Sequence, residues 1–207
     1  MTAPTTTGLA QELAAAVDEL RRVTVRVQAN GAAASGAGVL WDPAGDDTRA
    51  LVITNAHVAT RAQATIRLSD GAVVRARVVA RDRKRDLAAL ELDLELEPHT
   101  PAGFAHVRDA APLRVGELVI AVGHPGDMSG AAALGIVHTV GGDRAGGTPQ
   151  WVRADLRLAP GFSGGPLADA SGRLIGINTM MHGGLALAVP VTLVESWLRR
   201  AQAPAAS

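Results

Sequence analysis

At 207 residues with 47 % hydrophobic content, the chain can build one large domain or two small ones around a real core. Lys plus Arg and Asp plus Glu are equal at 20 each, so charge balance makes no case for nucleic acid or an acidic membrane surface as partner. Cysteine is absent, which excludes disulfides, a thiolate nucleophile and cysteine-based metal sites and fits a reducing, cytoplasmic compartment.

The polar start, from Met1 to Gly8, has no basic segment followed by an apolar core and a cleavage site, so no secretion signal is expected. No apolar run approaches the roughly 18 residues needed to span a bilayer. Leu9, Leu13, Ala16, Val17, Leu20 and Val23 recur at helical spacing and predict one amphipathic helix packed on the body. The texture then changes to short β runs divided by turn residues. Val23 to Val27 alternates, Ala37 to Trp41 and Leu51 to Thr54 are compact and apolar, and Ala64 to Leu68 and Val73 to Ala80 flank the turn signal Asp70-Gly71. Leu87 to Leu92 completes a first set of about six strands.

A loop with Pro98, Pro101 and Pro112 divides the chain. The second set is Leu118 to Gly123, Ala133 to Val140, Gln150 to Leu156, Gly165 to Ala168, Leu174 to Met180 and Leu185 to Val189. From Val191 to about Ala201 a closing helix puts Leu193, Val194, Trp197 and Leu198 on one side. Many short strands at regular spacing favour a sandwich or closed barrels over an α/β sheet, and two sets of six suggest two small barrels. The expected organisation is a single domain with a lead and helix over 1–22, a first barrel over 23–108, a second over 112–190 and a helix over 191–201.

Three segments carry residues that nucleophilic catalysis needs. In Pro160-Gly161-Phe162-Ser163-Gly164-Gly165-Pro166-Leu167 the glycines permit a tight turn that raises the serine hydroxyl. The same turn can aim the Gly161 and Ser163 amides at one oxyanion. In Ile53-Thr54-Asn55-Ala56-His57-Val58 a histidine directly after an apolar strand is placed to act as general base. In Arg85-Asp86-Leu87-Ala88-Ala89-Leu90 a carboxylate leads into a buried-looking strand, where it can accept the imidazole N–H and fix its tautomer. Asp82 sits among charges, so Asp86 is the better candidate. The chain order His57, Asp86, Ser163 is one in which such triads occur.

At these residues the sequence resembles the trypsin-like serine peptidases, and in particular their HtrA/DegP branch. Thr54-Asn55-Ala56-His57-Val58 is similar to that branch's histidine motif, Asp82 through Leu90 to its segment ending Asp-Leu-Ala-x-Leu, and Gly161 through Leu167 to its nucleophile motif. Ser35-Gly36-Ala37-Gly38-Val39, Arg114-Val115-Gly116-Glu117, Gly123-His124-Pro125-Gly126, Gly176-Ile177-Asn178-Thr179 and Ala188-Val189-Pro190 resemble flanking marks. The resemblance implies an all-β, chymotrypsin-like fold of two six-stranded antiparallel barrels with the triad in the cleft between them. It also implies a serine endopeptidase acting on polypeptides through an acyl-enzyme. Thr179 falls where the family has a hydroxyl near the triad carboxylate, at the start of a strand that pairs with the substrate backbone.

The sequence departs from the family's pattern at four places. Phe162 stands where this branch has Asn and trypsin has Asp, so activation by a freed N-terminus has no acceptor. The loop after Thr179, Met180-Met181-His182-Gly183-Gly184, is short. His124 replaces an expected Asn, as an exposed loop residue that tunes loop contacts. The sequence stops at Ser207, so no PDZ domain is expected.

For substrate binding, Leu158, Ala159, Thr179, Met180, Met181 and Ala186 are the candidate lining, with no acidic residue to select Arg or Lys. Small or medium aliphatic residues are therefore the expected preference before the cleaved bond, unless nearby Arg157 attracts an acidic one. His99, His106, His138 and His182 show no metal-ligand spacing, and the basic run Arg81 to Arg85 reads as a solvated loop. Gly141-Gly142 and Gly146-Gly147 lack the context of a phosphate cradle. Neither metal nor cofactor is expected. The partner expected is a polypeptide substrate, with self-association or an activating protein also compatible with the sequence. Two rivals remain: a protease latent until a partner or substrate orders its oxyanion loop, and a non-catalytic peptide-binding or chaperone module.

Overall fold

The computed structural model describes residues 6–31, 35–42, 50–93, 103–108, 112–141 and 151–202. Pro98, His99, Pro101, Gln150, Gly142 and the Gly146-Gly147 pair, on which expectations fell, lie outside the described residues.

Helix α1 (Thr6–Val23) starts three residues before the first apolar position of its stripe. Ala16, Leu20 and Val23 of the expected face are buried, and Ala16 and Leu20 pack against Ile120, Val122 and Ala168 of the second barrel. Arg21 and Arg22 in its last turn offset the partial negative charge of the C-terminus. Thr24 Oγ1 donates to the Leu20 carbonyl at 2.6 Å, satisfying one of the orphan acceptors there.

Both expected barrels are present, each closed and built of antiparallel strands. The first comprises β1 (Thr24–Ala29), β2 (Gly36–Trp41), β3 (Leu51–Thr54), β4 (Gln63–Arg67), β5 (Val73–Asp82) and β6 (Leu87–Leu92), in spatial order β1-β2-β3-β6-β5-β4. The second comprises β7 (Leu118–Gly123), β8 (Ala131–Gly141), β9 (Trp151–Asp155), β10 (Pro166–Asp169), β11 (Leu174–His182) and β12 (Leu185–Pro190), in order β10-β11-β12-β9-β8-β7. Helix α2 (Val191–Gln202) follows directly.

With aromatic residues at 2 %, the barrel interiors are filled by Val, Leu, Ile and Ala. Val25, Val27, Leu40, Val52, Ile66 and Leu90 centre the first barrel, and Val119, Val137, Leu167 and Ala188 the second. β4 alternates in and out, as a strand with one solvated face does. β2 and β3 are buried at every position, because their outer faces meet the other barrel. There Val39, Trp41, Leu51, Ile53 and Leu87 join Leu174, Ile177 and Val189, and Val194, Trp197 and Leu198 of α2 close the cluster. This shared layer fixes the two barrels against each other and so sets the cleft between them.

Candidate active site

The turn leading into β6 begins with Asp82, whose Oδ1 accepts the amides of Lys84 and Arg85 at 2.9 and 3.0 Å. Burial raises the Asp82 carboxyl, but hydrogen bonds from Arg85 more than offset that and hold it below the ordinary range. Asp82 is thus the residue that shapes the turn. The turn ends at Asp86, with φ at 56° in the left-handed region where Asp and Asn are the most tolerated side chains after glycine. Asn55 Nδ2 donates to the Asp86 carbonyl at 2.9 Å and fixes that conformation from the end of β3.

So held, the Asp86 carboxylate receives three hydrogen bonds. Oδ1 accepts the His57 backbone amide at 3.0 Å, and Oδ2 lies 2.7 Å from His57 Nδ1 and accepts Thr179 Oγ1 at 2.5 Å. Burial pushes this carboxyl up; the donors from His57 and Thr179 outweigh it and leave the group below its usual value. With Nδ1 held by the carboxylate, the imidazole presents Nε2 to the cleft.

Ser163 comes to the same cleft from the other barrel. Its carbonyl accepts the Ala37 amide at 2.8 Å, and the Gly164 amide donates to the Asn178 carbonyl at 2.8 Å, so the loop is tied to both barrels. Gly161 has φ 106°, and a Cβ there would lie 2.5 Å from the His124 carbonyl oxygen, so only glycine fits. Among the described residues, the Gly161 and Ser163 amides donate to no group, whereas those of Phe162, Gly164 and Gly165 are all engaged. The Ser163 hydroxyl donates to the Thr179 carbonyl at 3.0 Å, and no hydrogen bond joins it to His57 among the described residues.

A cleft of about 650 Å³ is lined by His57, Arg83, Asp86, Ser163 and Thr179, with Leu158, Ala159, Pro160, Met180 and Met181 forming an apolar wall. His57, Asp86 and Ser163 therefore share one cavity, as do Leu158, Ala159, Thr179, Met180 and Met181 from the candidate lining. Ala186 does not: it is buried in the second barrel's core, because its side chain falls on the inward face of β12. Arg157 is exposed and outside the cleft lining. Phe162 is buried among Val119, Leu167 and their neighbours, so apolar packing anchors the loop. His124 is a correction. It is buried at 5 % exposure, Nδ1 accepts the Gly130 amide at 3.2 Å, and burial together with the Arg26 charge lowers its pKa to about 4.

Arg83, Pro160 and Asn55 were not legible as site residues. Arg83 lies three residues before the carboxylate that the same turn delivers to the cleft, and that proximity was the available signal.

A trypsin-like peptidase domain model matches residues 36–177. The chain is 34 % identical over 169 residues to a putative serine protease HhoA of Synechocystis sp., covering 77 % of this chain and 41 % of that protein. It is 33 % identical over 152 residues to a probable periplasmic serine endoprotease DegP-like of Rhizobium meliloti (70 % and 29 %). It is 33 % identical over 187 residues to serine protease HTRA1A of Danio rerio (87 % and 37 %). The chain thus spans well under half the length of these relatives. Its fold is similar to that of a serine endoprotease from Yersinia pestis, with TM-score 0.77 and 24 % identity, covering 97 % of this chain and 68 % of that one. The DegP-like relative is named periplasmic and lends no support to the cytoplasmic expectation. No helix among the described residues is long and apolar enough to cross a membrane.

Proposed function

The chain belongs to the trypsin-like peptidase domain family, and from that premise we propose that it is a serine endopeptidase with His57, Asp86 and Ser163 as its triad. The observation that carries this reading is the 2.7 Å contact between His57 Nδ1 and Asp86 Oδ2 in the cavity that also holds Ser163. It fixes the imidazole so that Nε2 takes the Ser163 proton as Oγ attacks a peptide carbonyl carbon. The Gly161 and Ser163 amides stabilise the resulting oxyanion, where one such donor contributes about 3 kcal/mol. His57 then protonates the leaving amine, and water, deprotonated by the same imidazole, releases the acyl group from Ser163.

A second reading, latency relieved by substrate or a partner, is favoured by one observation. The Ser163 hydroxyl is engaged by the Thr179 carbonyl rather than by His57. Rotation about χ1 must move it before the proton can leave, and a substrate backbone entering beside β11 can trigger that rotation.

Labelling with a fluorophosphonate tests both. Wild type is expected to react and Ser163→Ala to remain unlabelled, and a casein or peptide assay with the same pair reports turnover. Labelling that needs a peptide in the cleft supports latency. No labelling under any condition, with peptide binding retained, rejects the enzyme in favour of a binding module.

A further inference from the structure

The basic run from Arg81 to Arg85 is not a uniform solvated loop, because its cations have different fates. Arg81 donates to the carbonyls of Ala59 and Arg61, and Arg85 is spent on Asp82 at 2.6 Å. Lys84 is exposed and outside the cleft lining. Arg83 lines the cleft together with His57 and Asp86, all three from the first barrel's loops, and forms no ion pair with any described residue. Among the described residues, the one carboxylate in that cleft, Asp86, already has its oxygens occupied by His57 and Thr179. The uncommitted charge facing a ligand is therefore positive, and the opposite wall is apolar.

The path of a peptide through the cleft follows from the strands. Pairing of β11 with β10 ends at Ile177, while β12 continues along the other side of β11 to His182. Among the described residues, 179–182 thus have one strand neighbour and an unpaired edge, to which an extended chain can add. Side chains in an extended chain alternate sides. If the residue whose carbonyl meets Ser163 turns its side chain into the wall of Leu158, Met180 and Met181, the residue before it turns towards Arg83.

We propose that Arg83 is a specificity-determining residue that selects an acidic side chain immediately N-terminal to an aliphatic residue at the attacked position. The substrate class is then polypeptides with a Glu- or Asp-aliphatic pair in an extended segment. The naming of the attacked position rests on the peptidase reading above; the charge preference stands on the cleft itself.

The test uses matched fluorogenic peptides ending in Glu-Val, Gln-Val or Lys-Val before the bond to be cut, with wild type, Arg83→Gln and Arg83→Glu. Wild type is expected to favour Glu over Gln by about five- to tenfold in kcat/KM at low ionic strength, the range of a partly screened ion pair. Added salt shrinks that ratio. In Arg83→Gln it falls to near one, and Arg83→Glu prefers the Lys peptide. The same peptides, titrated by fluorescence anisotropy onto Ser163→Ala, report binding without turnover. A Glu preference in binding with no hydrolysis by wild type sinks the peptidase reading and leaves Arg83 in its role. Equal binding and turnover of the Glu and Gln peptides, a preference that survives Arg83→Gln, or no binding of either peptide overturns the proposal.

Discussion

Asp86 gathers in one residue the left-handed backbone, the buried carboxylate and the three donors that orient His57. Its folded pKa lies below the unfolded value of 3.8, so the charged form stabilises the site above that value and is lost as pH falls through the lower folded one. The imidazole therefore keeps its anchor at every pH above about 4. Asn is nearly isosteric but offers one acceptor oxygen where two are used, and turns an amide N–H₂ towards one of the present donors. Asp86→Asn is therefore expected to fold and to hold the ring in the wrong tautomer, with a loss of about 10⁴ in kcat. Peptide turnover and the fluorophosphonate labelling rate measure it, and a loss under tenfold would mean that another group orients the ring. The bulky Phe162, by contrast, acts through packing. Its side chain belongs to the second barrel's core, so the loop that carries Ser163 is anchored without a charge.

The strands are legible in the sequence because local pattern and burial coincide there. Leu51–Thr54, Leu87–Leu92 and Leu118–Gly123 have the bounds that their apolar runs predict, the last two bracketed by Asp86 and Asp93 and by Glu117 and His124, and the first ended by Asn55. The triad candidates are legible from their local settings: His57 follows β3 beside Ala56, Asp86 directly precedes β6, and Ser163 sits among glycines ahead of β10. What one-dimensional pattern hides is the direction of a side chain once the strand bulges. Register slips between Asn178 and Met180, and Thr179 at that point reaches Asp86, while Ala186 on the facing strand turns into the core. His124 departs from expectation for a related reason: a loop in sequence is a packed layer here, against the Ser163 loop, with its amide donating to the Gly161 carbonyl at 2.9 Å. The two barrels meet closely at Gly164, with φ 84° and a hypothetical Cβ 2.2 Å from both the Ala37 carbonyl oxygen and Thr54 Oγ1. Gly164→Ala must push the loop that carries Ser163 off the first barrel, at a cost of about 2–4 kcal/mol in stability from strain and overpacking. Thermal unfolding and labelling should both suffer; a variant that labels at the wild-type rate would show that the loop tolerates the displacement.

The two barrels are held together not only by the apolar layer under α2 but by the segment that crosses between them. Its Ala105 amide donates to the Leu40 carbonyl of the first barrel at 3.0 Å, and its Arg108 amide to the Leu174 carbonyl of the second at 3.0 Å. The Arg108 guanidinium then reaches Glu117 at 2.5 Å, just before β7, with Asp169 4.0 Å away. The hydrogen bond from Arg108 is the main cause that lowers the Glu117 pKa from 4.5 to about 2, outweighing the opposing effect of burial, with Arg114 adding to it. A carboxyl with a depressed folded pKa stabilises the fold above its unfolded value, and that contribution fades as pH falls through the folded one. The window here runs from about 4.5 down to about 2. Above it the charged Glu117 should contribute on the order of 3 kcal/mol, since a tenfold difference in proton affinity between folded and unfolded chain is worth about 1.4 kcal/mol. Glu117→Gln keeps an acceptor for Arg108 and removes the titration. Denaturant unfolding should therefore find the variant less stable than wild type at pH 7, with the gap closing as pH approaches 2. A gap that stays constant through that window would place the contribution of Glu117 in packing, and the clamp between crossover and second barrel would then be steric rather than electrostatic.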